Sequence, residues 1–175
     1  SKVREPKREE VDLHEYIGDL LEPHRARAGE LGATIRCEGP VCKANLDPFR
    51  FARVVENLLA NSLDALNGRE DGEVVIRWCP GKGDMQISVQ DNGKGIPRKI
   101  QKRIFEPFFS HGKVKGTGLG MATVKKIIEE HGGSLEVLSE EDEGTSVNIW
   151  IPDNDTRISK EDTTDRVRIL NPDIE

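Results

Sequence analysis

Two glycine clusters constrain this chain more than any other feature, because each abuts a regular element. The first, Asp91-Asn92-Gly93-Lys94-Gly95-Ile96-Pro97, follows directly on a segment with the strand alternation Ile87, Val89. The second, Gly116-Thr117-Gly118-Leu119-Gly120, opens a helical stretch from Leu119 to His131 that stops at Gly132-Gly133. Glycine admits positive φ and lets backbone approach a ligand closely. A helix start presents unpaired N–H groups and the positive end of the dipole, so the second cluster is a phosphate cradle on physical grounds. Neither cluster is a Walker A loop, since no GxxxxGK(S/T) occurs. The GxGxG spacing before the last helix is also not the dinucleotide GxGxxG.

The flanking segments suggest the frame. Val11 to Leu13 reads as a short strand and His14 to Gly32 as a helix. Ala33 to Glu38 and Val41 to Leu46 flank Gly39-Pro40 and read as a hairpin. Asp47-Pro48 has the form of an N-cap followed by a first helical proline. The helix it starts runs to about Leu66, with Phe51, Val54, Val55, Leu58, Leu59, Ser62, Ala65 and Leu66 as its buried stripe. Val74 to Trp78 and Met85 to Val89 read as strands, Arg98 to Phe105 as a short helix, and Ser134 to Leu138 and Ser146 to Ile151 as the last strands. Strands with three helices on mixed connections predict an α/β sandwich with the helices on one face of a sheet.

A length of 175 residues suits one domain. Residues 1–10 read as a solvated lead-in, 11–152 as the domain and 153–175 as a charged tail or linker. Lys and Arg total 26 against 32 Asp and Glu, a net charge of −6, which argues against non-specific nucleic-acid binding. No apolar run reaches the roughly 18 residues of a membrane span, and the charged start is no signal peptide. The three cysteines, Cys37, Cys42 and Cys79, form no CxxC pair, so neither a disulfide framework nor a zinc site is indicated. Reduced thiols in the cytoplasm are the expectation.

Asn57, Asn61 and Asp64 stand at i, i+4 and i+7, on one face of the helix after Asp47. These are poor helix-interior residues. Aligned beside an apolar stripe, they form either a polar site facing a cavity or a solvated outer face. An asparagine carbonyl is a hard ligand suited to Mg²⁺ that also touches phosphates. Asp91, at a strand end, can accept a hydrogen bond from the C6 amine of adenine, where guanine has a carbonyl; an ordinary Asx turn is the alternative. Between the loops, Ile104 to Ser110 makes an aromatic-proline knot and Ser110 to Lys115 the tip of a lid. Lys113 and Lys115 there either reach phosphate oxygens or are solvated loop charges.

In this order the motifs resemble the ATP-binding catalytic domain of bacterial sensor histidine kinases, within the gyrase–Hsp90–histidine kinase–MutL ATPase superfamily. Asn57 to Ser62 resembles the N box, Asp91 to Ile96 the G1 box, Phe105 to Phe109 the F box and Gly116 to Gly120 the G2 box. Gly144-Thr145 resembles the small motif before the last strand. The resemblance spans about Val11 to Pro152. It implies a Bergerat-type fold: a two-layer sandwich with a mixed, mostly antiparallel sheet and about three helices on one face. It implies ATP and Mg²⁺ as cofactors, with Asn61 on the metal and Asn57 supporting it or the phosphates. Lys113 and Lys115 join them in the catalytic set. Asp91 is implied on the adenine amine, with Gly93, Gly95, Ile96 and Thr145 around the base. Gly116, Thr117, Gly118, Leu119 and Gly120 are implied at the phosphates.

Many members carry a lysine three residues after the Mg²⁺ asparagine. Here that place is Asp64, which leaves the phosphate contact to the lid lysines. The Asp64-Ala65-Leu66 ending resembles the nitrogen-regulation type of kinase. The implied function is γ-phosphoryl transfer to a histidine on a separate dimerisation domain, and onward to a response regulator. His14 lacks the helical hairpin of a phosphoacceptor, and His24 and His131 read as surface or helix-end residues. The chain is thus expected to be one part of a larger or split protein, cytoplasmic here whether or not the whole is membrane-anchored. A superfamily ATP hydrolase, an anti-sigma-type serine kinase and a non-catalytic ATP-sensing module remain as alternatives.

Overall fold

Period-two alternation decides which way each strand's side chains face, and the architecture follows from it. The computed structural model describes residues 4–111, 117–153 and the backbone of 167–170. In chain order the elements are β1 (Glu9–Asp12), α1 (Leu13–Glu30), β2 (Thr34–Glu38), β3 (Lys43–Leu46), α2 (Pro48–Ala65), β4 (Glu73–Pro80), β5 (Asp84–Asp91), α3 (Arg98–Gln101), α4 (Gly120–Glu130), β6 (Ser134–Glu140), β7 (Gly144–Pro152) and β8 (Val167–Leu170). Six strands form one sheet in the order β2-β4-β5-β7-β6-β8. The central four pair antiparallel, and β2 on β4 and β8 on β6 are parallel. β1 and β3 form a separate antiparallel ladder. α1 packs on β2, α2 on β4, β5 and β7, and α4 on β6. This is the expected two-layer α/β sandwich with a mixed, mostly antiparallel sheet.

The core lies between the layers. Val74, Ile76 and Trp78 of β4, Met85, Ile87 and Val89 of β5, Leu135 and Val137 of β6, and Val147, Ile149 and Ile151 of β7 are all buried. They meet Ile17 and Leu21 of α1, the stripe of α2, and Val124, Ile127 and Ile128 of α4. Each fully buried side chain of this size contributes about 1.5–3 kcal/mol. α2 starts as expected: the Asp47 carboxylate accepts from the Phe49 and Arg50 N–H groups, both at 3.1 Å. Its buried stripe includes Leu63, and Ala65 is only half-buried.

The expected hairpin across Gly39-Pro40 does not form. β2 pairs with β4 and β3 with β1, so the two runs go to different sheets. The connection is pinned to Trp78, whose indole N–H donates to the Pro40 carbonyl at 2.8 Å. A Cβ on Gly39 would stand 2.3 Å from the same ring. A Gly-Pro pair between apolar runs marks a break but not a partner, and here docking on an indole wins over closing a turn. The short helix over Arg98–Phe105 is limited to Arg98–Gln101, with turns beyond it. Within the stretch read as a tail, β8 adds an edge strand to β6.

The lead-in is tied down. The Arg8 guanidinium donates to the carbonyls of Asn45 at 3.1 Å, Pro152 at 2.8 Å and His131. The Lys7 N–H donates to the Asp47 carboxylate at 2.8 Å, and Arg50 bridges the Arg4 carbonyl and Glu130. Burial pushes the Asp47 carboxyl up, but the N–H groups of Arg50 and Lys7 outweigh it and hold the group below its ordinary value. His131, expected as a surface or helix-end residue, is the C-cap of α4 and is 0% exposed. Its Nε2 accepts from the Asp47 N–H at 3.0 Å and its Nδ1 bonds to the Ile127 carbonyl at 2.8 Å. Burial pushes its pKa below the ordinary value, so the neutral ring joins the start of α2 to the end of α4.

A histidine neutral in the fold and chargeable when unfolded contributes stability above its unfolded pKa of about 6.5, and that stability is lost as pH falls below it. Denaturant midpoints should therefore drop between about pH 7 and pH 5. His131→Ala should cost roughly 1–3 kcal/mol at neutral pH and flatten this dependence. Parallel slopes for the two proteins would contradict the assignment.

Candidate functional site

The alternation that builds the core turns polar at one end of the sheet. Met85, Ile87 and Val89 are followed in the same phase by Asp91 on β5, Leu135 and Val137 by Ser139 on β6, and Ile151, Ile149 and Val147 by Thr145 on β7. Asp91 and Ser139 both stand opposite Thr145 across the two ladders. Three polar side chains thus emerge together on the inner face, beneath the C-terminal half of α2.

Asp91 is only 6% exposed. The Gly93 N–H donates to its carboxylate at 2.9 Å, and the Ser62 hydroxyl and Thr145 N–H also bond to it. Burial pushes its carboxyl above the ordinary value, against the pull of these donors and of Arg69. The loop after it is stitched to both neighbours. The Lys94 N–H donates to the Ala65 carbonyl at 3.0 Å, and the Asp142 N–H donates to the Lys94 carbonyl at 2.8 Å. The Ile96 N–H donates to the Ser139 hydroxyl at 2.9 Å, which also bonds to the Thr145 hydroxyl at 2.8 Å. The Gln101 amide donates to the carbonyls of Ile96 and Ser139. Gly95 has φ +68° and a Cβ there would lie 1.9 Å from the Glu140 carbonyl oxygen, so this close passage needs glycine.

A cavity of about 1060 Å³ opens beside Asp91, bounded by α2, the β5–β7 strand ends and the start of α4. Asn57, Asn61 and Asp64 line it, so the aligned polar face looks into a cavity and not into bulk solvent. The Asn57 amide N–H donates to the Arg53 carbonyl at 2.7 Å. Its Oδ1 faces Gly120, where a Cβ would stand 3.0 Å away. On the far wall, Leu119 caps α4 without a side-chain cap bond, which leaves the first turn open to an anion. Gly118 has φ +68° and is pressed on the Phe108 backbone. Phe108 has φ 65° and is 78% exposed, while the Phe109 ring lies under Arg103 at 4.5 Å.

The expected residues therefore fall into three groups. Asn57, Asn61, Asp91, Gly95, Ile96 and Thr145 meet around the cavity, joined from the other side by Thr117, Gly118 and Gly120. Gly93 sits behind Asp91 against Ala65, and Leu119 stands at the helix start off the cavity wall. Lys113, Lys115 and Gly116, with residues 112–115 of the expected lid tip, lie outside the described residues, while Ser110 and His111 line the cavity. Sequence reasoning missed Ser139, Gln101, Arg69 and Arg27. Ser139 had a signal, as the polar residue that continues the buried phase of Leu135 and Val137. Among the described residues no cluster of acids, histidines and cysteines could hold a metal alone. Amide oxygens on Asn57 and Asn61 fit instead a hard cation that keeps water and shares ligand phosphates, as Mg²⁺ does.

A profile of the histidine kinase-, DNA gyrase B- and HSP90-like ATPases matches residues 46–155. The chain belongs to this ATPase family. The sensor histidine kinase ZraS of Escherichia coli K12 is 34% identical over 149 residues, covering 84% of this chain and 31% of ZraS. The sensor protein kinase WalK of Staphylococcus epidermidis is 29% identical over 150 residues, covering 83% of this chain and 25% of WalK. The chain thus spans about a third or less of these relatives. Among solved structures, the catalytic domain of histidine kinase ThkA superposes with TM-score 0.74 at 27% identity, over 84% of this chain and 96% of that domain. Full-length ShkA in complex with AMPPNP gives 0.76 at 26% identity, over 87% of this chain and 32% of ShkA. Kinship with histidine kinase catalytic domains, expected from the motif order, is borne out.

Ser139→Ala removes the acceptor for the Ile96 N–H and the partner of the Thr145 hydroxyl. It should destabilise this ATPase domain by about 1–3 kcal/mol in urea unfolding. An unchanged midpoint would mean that the hydroxyl does not hold the loop.

Proposed function

We propose that this domain binds ATP with Mg²⁺ and donates the γ-phosphoryl group to a histidine on a separate dimerisation domain, as the catalytic part of a two-component sensor kinase. The observation that carries this reading is Asp91: a buried acceptor on one wall of a cavity whose opposite wall is an uncapped helix start. The carboxylate accepts from the adenine amine, with Ile96 and Thr145 beside the base. The backbone of Thr117 to Gly120, with Gly116, takes the phosphates, and Lys113 and Lys115 are their candidate cationic partners. Asn61 would hold the cation, with Asn57 supporting it or the phosphates. Mg²⁺ supplies neutralisation of charge on the phosphate oxygens when bound.

Transfer needs positioning and charge neutralisation more than covalent help from the domain. An imidazole nitrogen of the supplied histidine bonds to the γ-phosphorus while the bond to the β–γ bridging oxygen breaks, and ADP leaves. A response regulator then takes the phosphoryl group; ThkA has been solved in complex with its response regulator protein TrrA. The cytoplasm, where ATP is held, is the proposed location, and no described helix is long and apolar enough to cross a membrane. The hydrolase alternative needs a glutamate base where Asn57 stands. Glu56 next to it is exposed and off the cavity wall, because one residue turns a helix by about 100°.

Asp91→Ala should lower ATP affinity roughly 10- to 150-fold in calorimetry with the fold retained, the effect of losing a charge-assisted hydrogen bond of about 1.5–3 kcal/mol. Asn61→Ala should weaken Mg²⁺-dependent ATP binding far more than metal-free ADP binding. Mixed with a histidine dimerisation domain and labelled ATP, the wild type should phosphorylate the histidine. Binding without transfer would instead mark an ATP-sensing module, and steady ATP turnover alone would mark a hydrolase.

A further inference from the structure

The polar face of α2 carries an acid that the nucleotide reading leaves unused. Asp64 follows Asn61 by three residues and Asn57 by seven, so it lines the same cavity wall. Arg27, in the last turn of α1, reaches across and donates from Nη2 to the Asp64 carboxylate. Arg27 lines the cavity as well. The side chains are 45% and 33% exposed, which puts the pair at the mouth of the cavity and not in the core. A surface pair of this kind adds little stability of its own. Its placement has a larger consequence for a ligand.

Among the described residues at the cavity, Asp64, Asp91 and Glu141 are acids, and Arg27 and Lys94 are the permanent cations. Lys94 belongs to the loop at the Asp91 end. A polyphosphate running from Asp91 toward the start of α4 must pass the Asn face, and an uncompensated Asp64 would repel it there. Arg27 offsets that charge. Its planar fork has five donors, so a guanidinium bonded to one carboxylate oxygen keeps donors for a phosphate.

We infer that Arg27 binds the polyphosphate of the nucleotide, with Asp64 serving as the bracket that holds its guanidinium at the cavity mouth. The inference rests on the ATP-binding reading and adds to it a phosphate contact from outside the five motifs. Its signature is discrimination: Arg27 favours phosphorylated nucleotides over the bare nucleoside.

Calorimetric titration of ATP and adenosine into the full chain tests this, using the wild type, Arg27→Ala, Asp64→Ala and the double variant Arg27→Ala/Asp64→Lys. Arg27→Ala should lower ATP affinity about 10-fold or more and leave adenosine affinity unchanged. Asp64→Ala, which removes the bracket but leaves the cation, should lower ATP affinity less than Arg27→Ala does and leave adenosine affinity unchanged. The double variant, with its cation on the Asn face itself, should recover most of the loss. If the pair merely ties α1 to α2, Arg27→Ala and Asp64→Ala will weaken ATP and adenosine alike and lower the melting temperature together, which overturns the inference. ATP binding untouched by Arg27→Ala overturns it too, with the nucleotide reading intact. A wild type that binds neither ligand overturns both.

Discussion

On β5 and β7 the inward phase of the pleat is apolar for three positions and then polar for one, and on β6 it is apolar for two before the polar one. Burying Met85, Ile87 and Val89 forces Asp91 to face the helices, because side chains two apart on a strand share a face. The same holds for Ser139 and Thr145. A carboxylate so placed is costly unless donors surround it. The Gly93 and Thr145 N–H groups and the Ser62 hydroxyl supply them, and the loop packs against Ala65 and Glu140 to bring them within reach. The cavity wall is the continuation of the core.

The other walls are set by the spacing of two helices. α2 and α4 run antiparallel, and both ends of α4 are held against α2. At one end the Asn57 amide oxygen meets Gly120. At the other, His131 accepts from the Asp47 N–H, and Arg8 bonds to the His131 carbonyl. The asparagines and the open helix start are thereby set side by side, the kind of placement that positioning chemistry demands. The lead-in residues belong to that support, since the Lys7 backbone and the Arg8 side chain close the cluster.

Much of this was legible from local signals. The Asp47-Pro48 start, the apolar stripe of α2 and the strand alternations report on neighbours within a turn or a pleat, and the elements follow them closely. A lone glycine at an element's end more often caps or turns, and the glycine loops stood out because two of them occur in one order with an asparagine-bearing helix. Information about distant partners was not. Gly39-Pro40 marked a break without revealing that Trp78, 38 residues away, would hold it. His131 looked like a helix-end residue because its acceptor role depends on an N–H 84 residues earlier. Arg27 carried no mark of its own, since its place at the cavity follows from how α1 crosses α2.

The central claim is that the buried Asp91 carboxylate selects a purine with an amine at C6. The most direct measurement compares the dissociation constants of ADP and inosine diphosphate, which carries a carbonyl at that atom, for the wild-type domain at fixed Mg²⁺ and salt. The account predicts that ADP binds at least about 10-fold more tightly, as expected when a buried acceptor loses its donor. Equal affinities would contradict it.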